Sequence, residues 1–289
     1  EALTPVRIAV WDSGCDVRLF PHQLYTDPAP GRFDPHGLAF DVNGFPAHGD
    51  LEPLAPAQRA AVARGLALLD GYSDLQQSID SPAARAVRRR YAALAPADVP
   101  AFLHDITLAS YYAHGTHVAG IALRGNPAAR LVVDRITFDD KTIPTPPTPE
   151  LDRRVAADEM TEVAYFRARR VRVVNLSWSG QPSDDAAILE KNGIGANAAQ
   201  RAALANRLFA IERAGLYAAL ASAPDILFVT VAGNRNADAG FNDEIPASFA
   251  LPNLLVVGAV DQAGDETTFT STGKTVAVDA DGYAVESVV

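Results

Sequence analysis

Val6-Arg-Ile-Ala-Val-Trp11, running straight into Asp12-Ser-Gly14, is the stretch on which the fold turns. A β-branched apolar run ends on a carboxylate that enters a glycine turn. The run lacks strict apolar/polar alternation, so a strand here has both faces covered, as in a parallel sheet. Further runs at residues 131–137, 171–176, 226–232, 254–260 and 276–278 resemble it. Between them lie Ala- and Leu-rich stretches with helical spacing, at 149–170 and 197–223. In the second of these, Leu204, Leu208, Ile211, Gly215 and Leu216 share one stripe. Strands alternating with helices predict an α/β fold of three layers, a mainly parallel sheet flanked by helices. Ligands in such sheets sit beyond the carboxyl ends of the strands, so the polar residues just after each run are the ones to inspect.

One region breaks the alternation. Residues 43–110 hold no convincing strand and read as helices, 56–69 and 81–94 among them. Ser81-Pro82 offers an N-cap followed by proline at the first helical position. The region is expected to be a helical insertion within one domain spanning 1–289, the alternative being a set of ordinary core helices. Residues 142–149, rich in proline, predict a stiff extended connector.

Composition narrows the function classes. The chain has 289 residues, 48% hydrophobic and 21% charged, with a formal net charge of -10. A pI near 5.0 argues against sequence-independent binding to nucleic acid. The Arg88-Arg89-Arg90 run therefore reads as a solvated helix face rather than a nucleic-acid patch. One cysteine excludes an internal disulfide framework and any Cys-based zinc site, and Cys15 is expected to be a buried, inert thiol. No apolar run reaches the ~18 residues of a membrane span, so no membrane insertion is expected. The chain opens on Glu1 with no charged-then-apolar leader, as expected if a leader is removed or the sequence is part of a longer chain.

Three segments stand out at strand ends. Asp12 is either a turn former or a functional carboxylate. His114-Gly-Thr-His117-Val-Ala-Gly120 reads as a histidine at the start of a tightly packed helix. As a metal pair its spacing is poor, because no glutamate or third ligand accompanies it. Gly233-Asn234 closes the run at 226–232, and its Asn is either a turn residue or, in a preformed cleft, an amide donor.

In this order the three segments resemble the subtilisin-like serine proteases, the subtilase family. The match at His114 to Gly120 is residue for residue. Val174-Asn-Leu-Ser177 resembles the family's substrate-edge strand, and Pro246-Ala-Ser248 followed by Val257-Gly-Ala-Val260 extends the likeness. The resemblance implies a serine endopeptidase acting on polypeptide substrates through an acyl-enzyme. His114 would be the general base, Asp12 its orienting carboxylate and Asn234 the oxyanion donor. Ser177, Trp178, Ser179 and Gly180 would line the substrate, and His117 would be structural. Trp178 would either shape the pocket for an upstream side chain or pack against the helical region. No cofactor and no metal are implied. Residues 124–130 offer only Asn126 and backbone carbonyls where many members insert a calcium loop. The family favours a secreted or periplasmic location.

The family's nucleophile motif, Gly-Thr-Ser, does not occur in these 289 residues. The closing Tyr283-Ala-Val-Glu-Ser-Val-Val289 resembles the strand shortly before that motif, so the chain is expected to stop just ahead of it. The alternatives are a catalytically inactive subtilase-like binding or scaffold module, and a metal-dependent hydrolase using His114 and His117.

Overall fold

The computed structural model describes residues 4–289. The chain runs β1 (Val6–Asp12), β2 (Gly37–Phe40), α1 (Pro56–Gln76), α2 (Pro82–Ala92), α3 (Val99–Leu123), β3 (Ala129–Ile136) and α4 (Pro149–Ala168). It continues through β4 (Val171–Leu176), α5 (Pro182–Lys191), α6 (Ala198–Ala221), β5 (Leu227–Val231), β6 (Leu254–Val260) and β7 (Val276–Asp281). The strands form one sheet in the order β2-β3-β1-β4-β5-β6-β7, and every neighbouring pair is parallel.

The near-continuous apolar character of β1 follows from cover on both faces. Ala9 and Trp11 point to one side, where Val163 and Phe166 of α4 and Leu216 and Leu220 of α6 complete the larger core. Val10 points to the other, against Ala119 and Leu123 of α3. The result is the three-layer α/β arrangement. At β7 the cover ends, and its last five residues are exposed.

Residues 43–110 contribute α1, α2 and the first half of α3, and none of the sheet's named strands. Leu68, Val87, Phe102 and Ile106 form a separate small core there. The helices approach closely because of two glycines. A Cβ on Gly65 would lie 2.0 Å from the Asp105 carbonyl oxygen, and one on Gly71 would lie 2.5 Å from that of Ala83. Ser81 caps α2, its hydroxyl accepting from the Ala84 amide at 2.9 Å, with Pro82 next.

Three features depart from the sequence expectations. Gly37–Phe40 forms an edge strand too short and too isolated in sequence to stand out, held by its register on β3. Residues 182–191 form α5, an amphipathic helix of only ten residues. His114 does not start a helix: α3 begins at Val99, so the histidine lies well inside a 25-residue helix continuous with the helical region. Pro100 marks the true start, at the second helical position, where a missing N–H costs nothing.

Candidate active site

β1 is the third of the seven strands, with β3 on one side and β4 on the other. Strand order reverses there, and in such sheets ligands bind beyond the carboxyl ends of the strands. Asp12 is the last residue of β1 and is fully buried. Its Oδ1 accepts from the Ser13 amide at 2.7 Å and lies 2.7 Å from Nδ1 of His114, 102 residues further on. No group of the described chain hydrogen-bonds its Oδ2.

The contact depends on how closely α3 lies over the β1 turn. Gly14 has φ +94°, a conformation that favours glycine, and a Cβ there would meet the Asp50 carbonyl oxygen at 2.4 Å. A Cβ on Gly115 would lie 2.1 Å from the carbonyl oxygen of Gly14 itself. Two cross-bonds fix the register of helix and turn: the Gly115 amide donates to Ser13 Oγ at 3.0 Å, and the Asp16 amide to Thr116 Oγ1 at 3.0 Å. Thus the Gly-Thr after His114 and the Ser-Gly after Asp12 are the packing surface that brings carboxylate and imidazole together.

His114 keeps 41% of its side chain exposed while its Nδ1 faces Asp12. Burial works against its cation, but the Asp12 carboxylate outweighs that through its charge and hydrogen bond, and the imidazole pKa is raised above its usual 6.5. Such an imidazole has one nitrogen held and the other available to take a proton. His117 differs. Burial pushes its pKa down, and its carbonyl accepts from Ser287 Oγ at 2.7 Å. Cys15 is buried, its amide donating to the Asp50 carbonyl at 2.7 Å, and burial raises its thiol pKa so that no thiolate forms.

The other sequence-predicted residues follow the next two strands. Residues 177–180 leave the end of β4, which pairs with β1, and Asn234 follows β5, which pairs with β4. Among the described residues, the main-chain groups of Ser177, Trp178 and Ser179 form no hydrogen bond with the rest of the chain. That edge is unpaired. Gly180 is not: it donates to the Ile245 carbonyl at 3.1 Å and accepts from the Ile245 amide at 2.9 Å. Its main-chain N–H and C=O are thus already paired within the domain. Trp178 is half-buried against the larger core. Its ring meets Trp11 edge-on at 5.6 Å, and its Nε1 donates to the Trp11 carbonyl at 2.9 Å. Asn234 is exposed, and its side-chain amide has no partner in the described chain.

The family follows from matching the whole sequence against known families: residues 5–287 match the subtilase family. The chain belongs to the subtilase family. This subtilase is also similar in structure to a lanthipeptide protease, at 14% identity over 98% of this chain and 57% of that one, with a TM-score of 0.49. It is similar to the PatG macrocyclase in complex with peptide, at 15% identity over 99% of this chain and 68% of that one, with a TM-score of 0.48. A third likeness is to the MycP3 protease from the type VII (ESX-3) secretion system, at 19% identity over 96% of this chain and 59% of that one, with a TM-score of 0.42. This subtilase thus spans a little over half of the lanthipeptide protease it matches. No curated protein matches it.

Sequence reasoning missed one further residue beside the site. Glu244 is fully buried, and its Oε1 accepts from Ser179 Oγ at 2.8 Å. Nothing in Asn-Asp-Glu-Ile-Pro marks it, since an acidic residue in a polar loop reads as solvated. Among the described residues no helix is long and apolar enough to cross a membrane, and no group of three or more acidic, His or Cys side chains is arranged to hold a metal ion.

Proposed function

We propose that this subtilase-family protease domain is a serine endopeptidase in which Asp12 and His114 are two members of an Asp-His-Ser triad. The serine comes from a Gly-Thr-Ser motif that these 289 residues do not contain. The carrying observation is the 2.7 Å contact between a fully buried carboxylate and Nδ1 of a half-exposed imidazole. Asp12 holds the tautomer that carries its proton on Nδ1, leaving Nε2 to accept the serine proton as the hydroxyl attacks the peptide carbonyl. Asp12 then stabilises the imidazolium, which returns the proton to the leaving amine. Water hydrolyses the resulting acyl-enzyme by the same steps in reverse order.

The Asn234 side-chain amide is the donor to the oxyanion, supported by its place beyond β5 and its lack of an internal partner. In subtilisin, the measured example of such a donor, its loss costs about 10²–10³ in kcat. The open main chain of Ser177 to Ser179 pairs with the substrate backbone upstream of the cleaved bond. Polypeptides are therefore the substrate.

The test uses the protein carrying the Gly-Thr-Ser motif, assayed with quenched fluorescent peptides and a fluorophosphonate probe. Turnover and labelling, both lost in His114→Ala, support the proposal, while the 289-residue chain alone shows neither. Peptide binding without turnover or labelling in that protein would instead identify an inactive subtilase-like binding module.

A further inference from the structure

The mechanism leaves one buried charge without a role. Glu244 is fully buried between the two segments that the proposed function assigns to substrate. On one side Ser179 Oγ donates to its Oε1 at 2.8 Å. On the other it lies against Gly233, where an added Cβ would come within 2.4 Å of Oε1 and 2.5 Å of Oε2. Gly233, at φ +113°, gives the carboxylate its place against the main chain next to Asn234.

The carboxylate is only half satisfied. Its Oε2 has no hydrogen-bond partner in the described chain. The nearest cation, Arg235, has its Nε 3.8 Å from Oε1, beyond hydrogen-bonding distance. That guanidinium is 39% exposed and commits its Nη2 to Asp184 at 2.7 Å. Burying a carboxylate with one hydroxyl donor and one loosely placed cation is unfavourable unless a further donor completes it.

We propose that Glu244 selects a lysine or arginine side chain in the substrate residue whose carbonyl is attacked, with Arg235 standing over it until the substrate cation replaces it. This rests on the assignments of Asn234 and Ser177 to Ser179 above. A substrate residue with its carbonyl at Asn234 and its main chain along 177–179 has its side chain between those segments, where Glu244 lies. A substrate ammonium or guanidinium brings the donors that Oε2 lacks, and an arginine adds a planar fork matched to both carboxylate oxygens. An uncharged side chain leaves the carboxylate as it was and gains nothing from it. Asp184 keeps the displaced Arg235 from being lost to solvent.

Two measurements test this independently of each other. The 289-residue chain is titrated with benzamidine, a small planar cation. The expected result is binding that weakens at least about tenfold in Glu244→Gln and tightens in Arg235→Ala, where the competing cation is gone. Benzamidine affinity unchanged in both variants overturns the proposal. Should Glu244→Gln fail to fold by circular dichroism, the half-exposed Arg235→Ala carries the test alone, with unchanged affinity the overturning result. In the protein carrying the Gly-Thr-Ser motif, kcat/KM is compared for peptides differing only in lysine, arginine or leucine before the cleaved bond. The expectation is a preference on the order of 10² for the cations that Glu244→Gln abolishes. Efficient cleavage after leucine, unaffected by that substitution, overturns it. Absence of turnover together with Glu244-dependent benzamidine binding refutes the peptidase proposal and supports the cation site.

Discussion

Gly115 and Gly14 touch through backbone alone: a Cβ on Gly115 would lie 2.1 Å from the carbonyl oxygen of Gly14, inside any real contact distance. The gap between His114 and Asp12 is set by this crossing of helix and turn. Gly115→Ala therefore has to lift α3 from the end of β1. The expected outcome is a loss of about 1–3 kcal/mol in stability from overpacking. Because the imidazole moves away from Asp12, its pKa falls back toward 6.5. A melting curve and an NMR titration of the His114 ring check the two parts separately.

Asp12→Asn removes the charge and keeps the shape. Burial alone then acts on His114, and its pKa is expected to fall below 6.5, the reverse of the direction in the native chain. The sign carries over to stability. With Asp12 present, the folded chain holds the imidazole proton more tightly than the unfolded chain does. That stabilisation is complete below about pH 6.5 and is lost as pH rises through the raised folded pKa. Urea unfolding of the two proteins should accordingly show a stability difference that is larger at pH 5.5 than at pH 9. An equal difference at both pH values would contradict the ion pair. In the protein carrying the serine, kcat/KM should rise with pH through the same raised pKa, since the base form of His114 does the work.

A second group of acids, buried behind the sheet's strands and helices, also controls stability. Asp134 of β3 and Glu162 of α4 adjoin, no donor of the described chain reaches either carboxyl, and burial raises the pKa of both well above the usual carboxylate range. A hydrogen bond between them requires one to keep its proton. Nearby, burial lifts Asp185 to about 7 and Glu212 to about 8. All four hold protons in the folded chain that the unfolded chain releases near pH 4–4.5. Stability is therefore full below that range and falls as pH rises through the folded values. Glu162→Gln, which keeps the hydrogen bond without a proton to lose, should be nearly neutral at pH 4.5. At pH 8.5 it should raise stability by about 1 kcal/mol, roughly 2–4 °C in melting temperature. Calorimetry at the two pH values gives the answer, and a destabilised variant at pH 8.5 would refute the shared proton.

We propose that residues 43–110 are a helical insertion in the sheet domain, because they pack on a core of their own and are pinned at their start. Arg135, 1% exposed, donates from Nε to the Gly49 carbonyl at 2.9 Å and from Nη2 to that of His48 at 3.1 Å, and pairs with Glu52. Replacing residues 54–94 by a short Gly-Ser bridge should leave the sheet and the His114 titration intact. It should lower the melting temperature, since Phe102 and Ile106 of α3 lose their cover. Loss of the whole far-ultraviolet spectrum would show that the region belongs to the main core instead.

Much of this protein was legible one residue at a time. Apolar runs without alternation were enough to predict β1 and β3 to β6, because a strand covered on both faces must be apolar on both. Ser81-Pro82 marked the start of α2, because a cap and a proline act within one turn of chain. The order Asp12, His114, Asn234 carried the family resemblance. The short edge strand Gly37–Phe40 was invisible, since its place depends on register with β3 rather than on any pattern of its own. So was the true start of α3, because a helix of 25 residues that leaves one core for another has no single apolar stripe. Only the tertiary structure decided that Trp178 turns inward onto Trp11 and that the Gly180 amide is already spent on Ile245. Only it put a buried glutamate, 65 residues from Ser179, within 2.8 Å of that hydroxyl. Sequence patterns record which faces are dry. They do not record which distant polar atoms meet once those faces close.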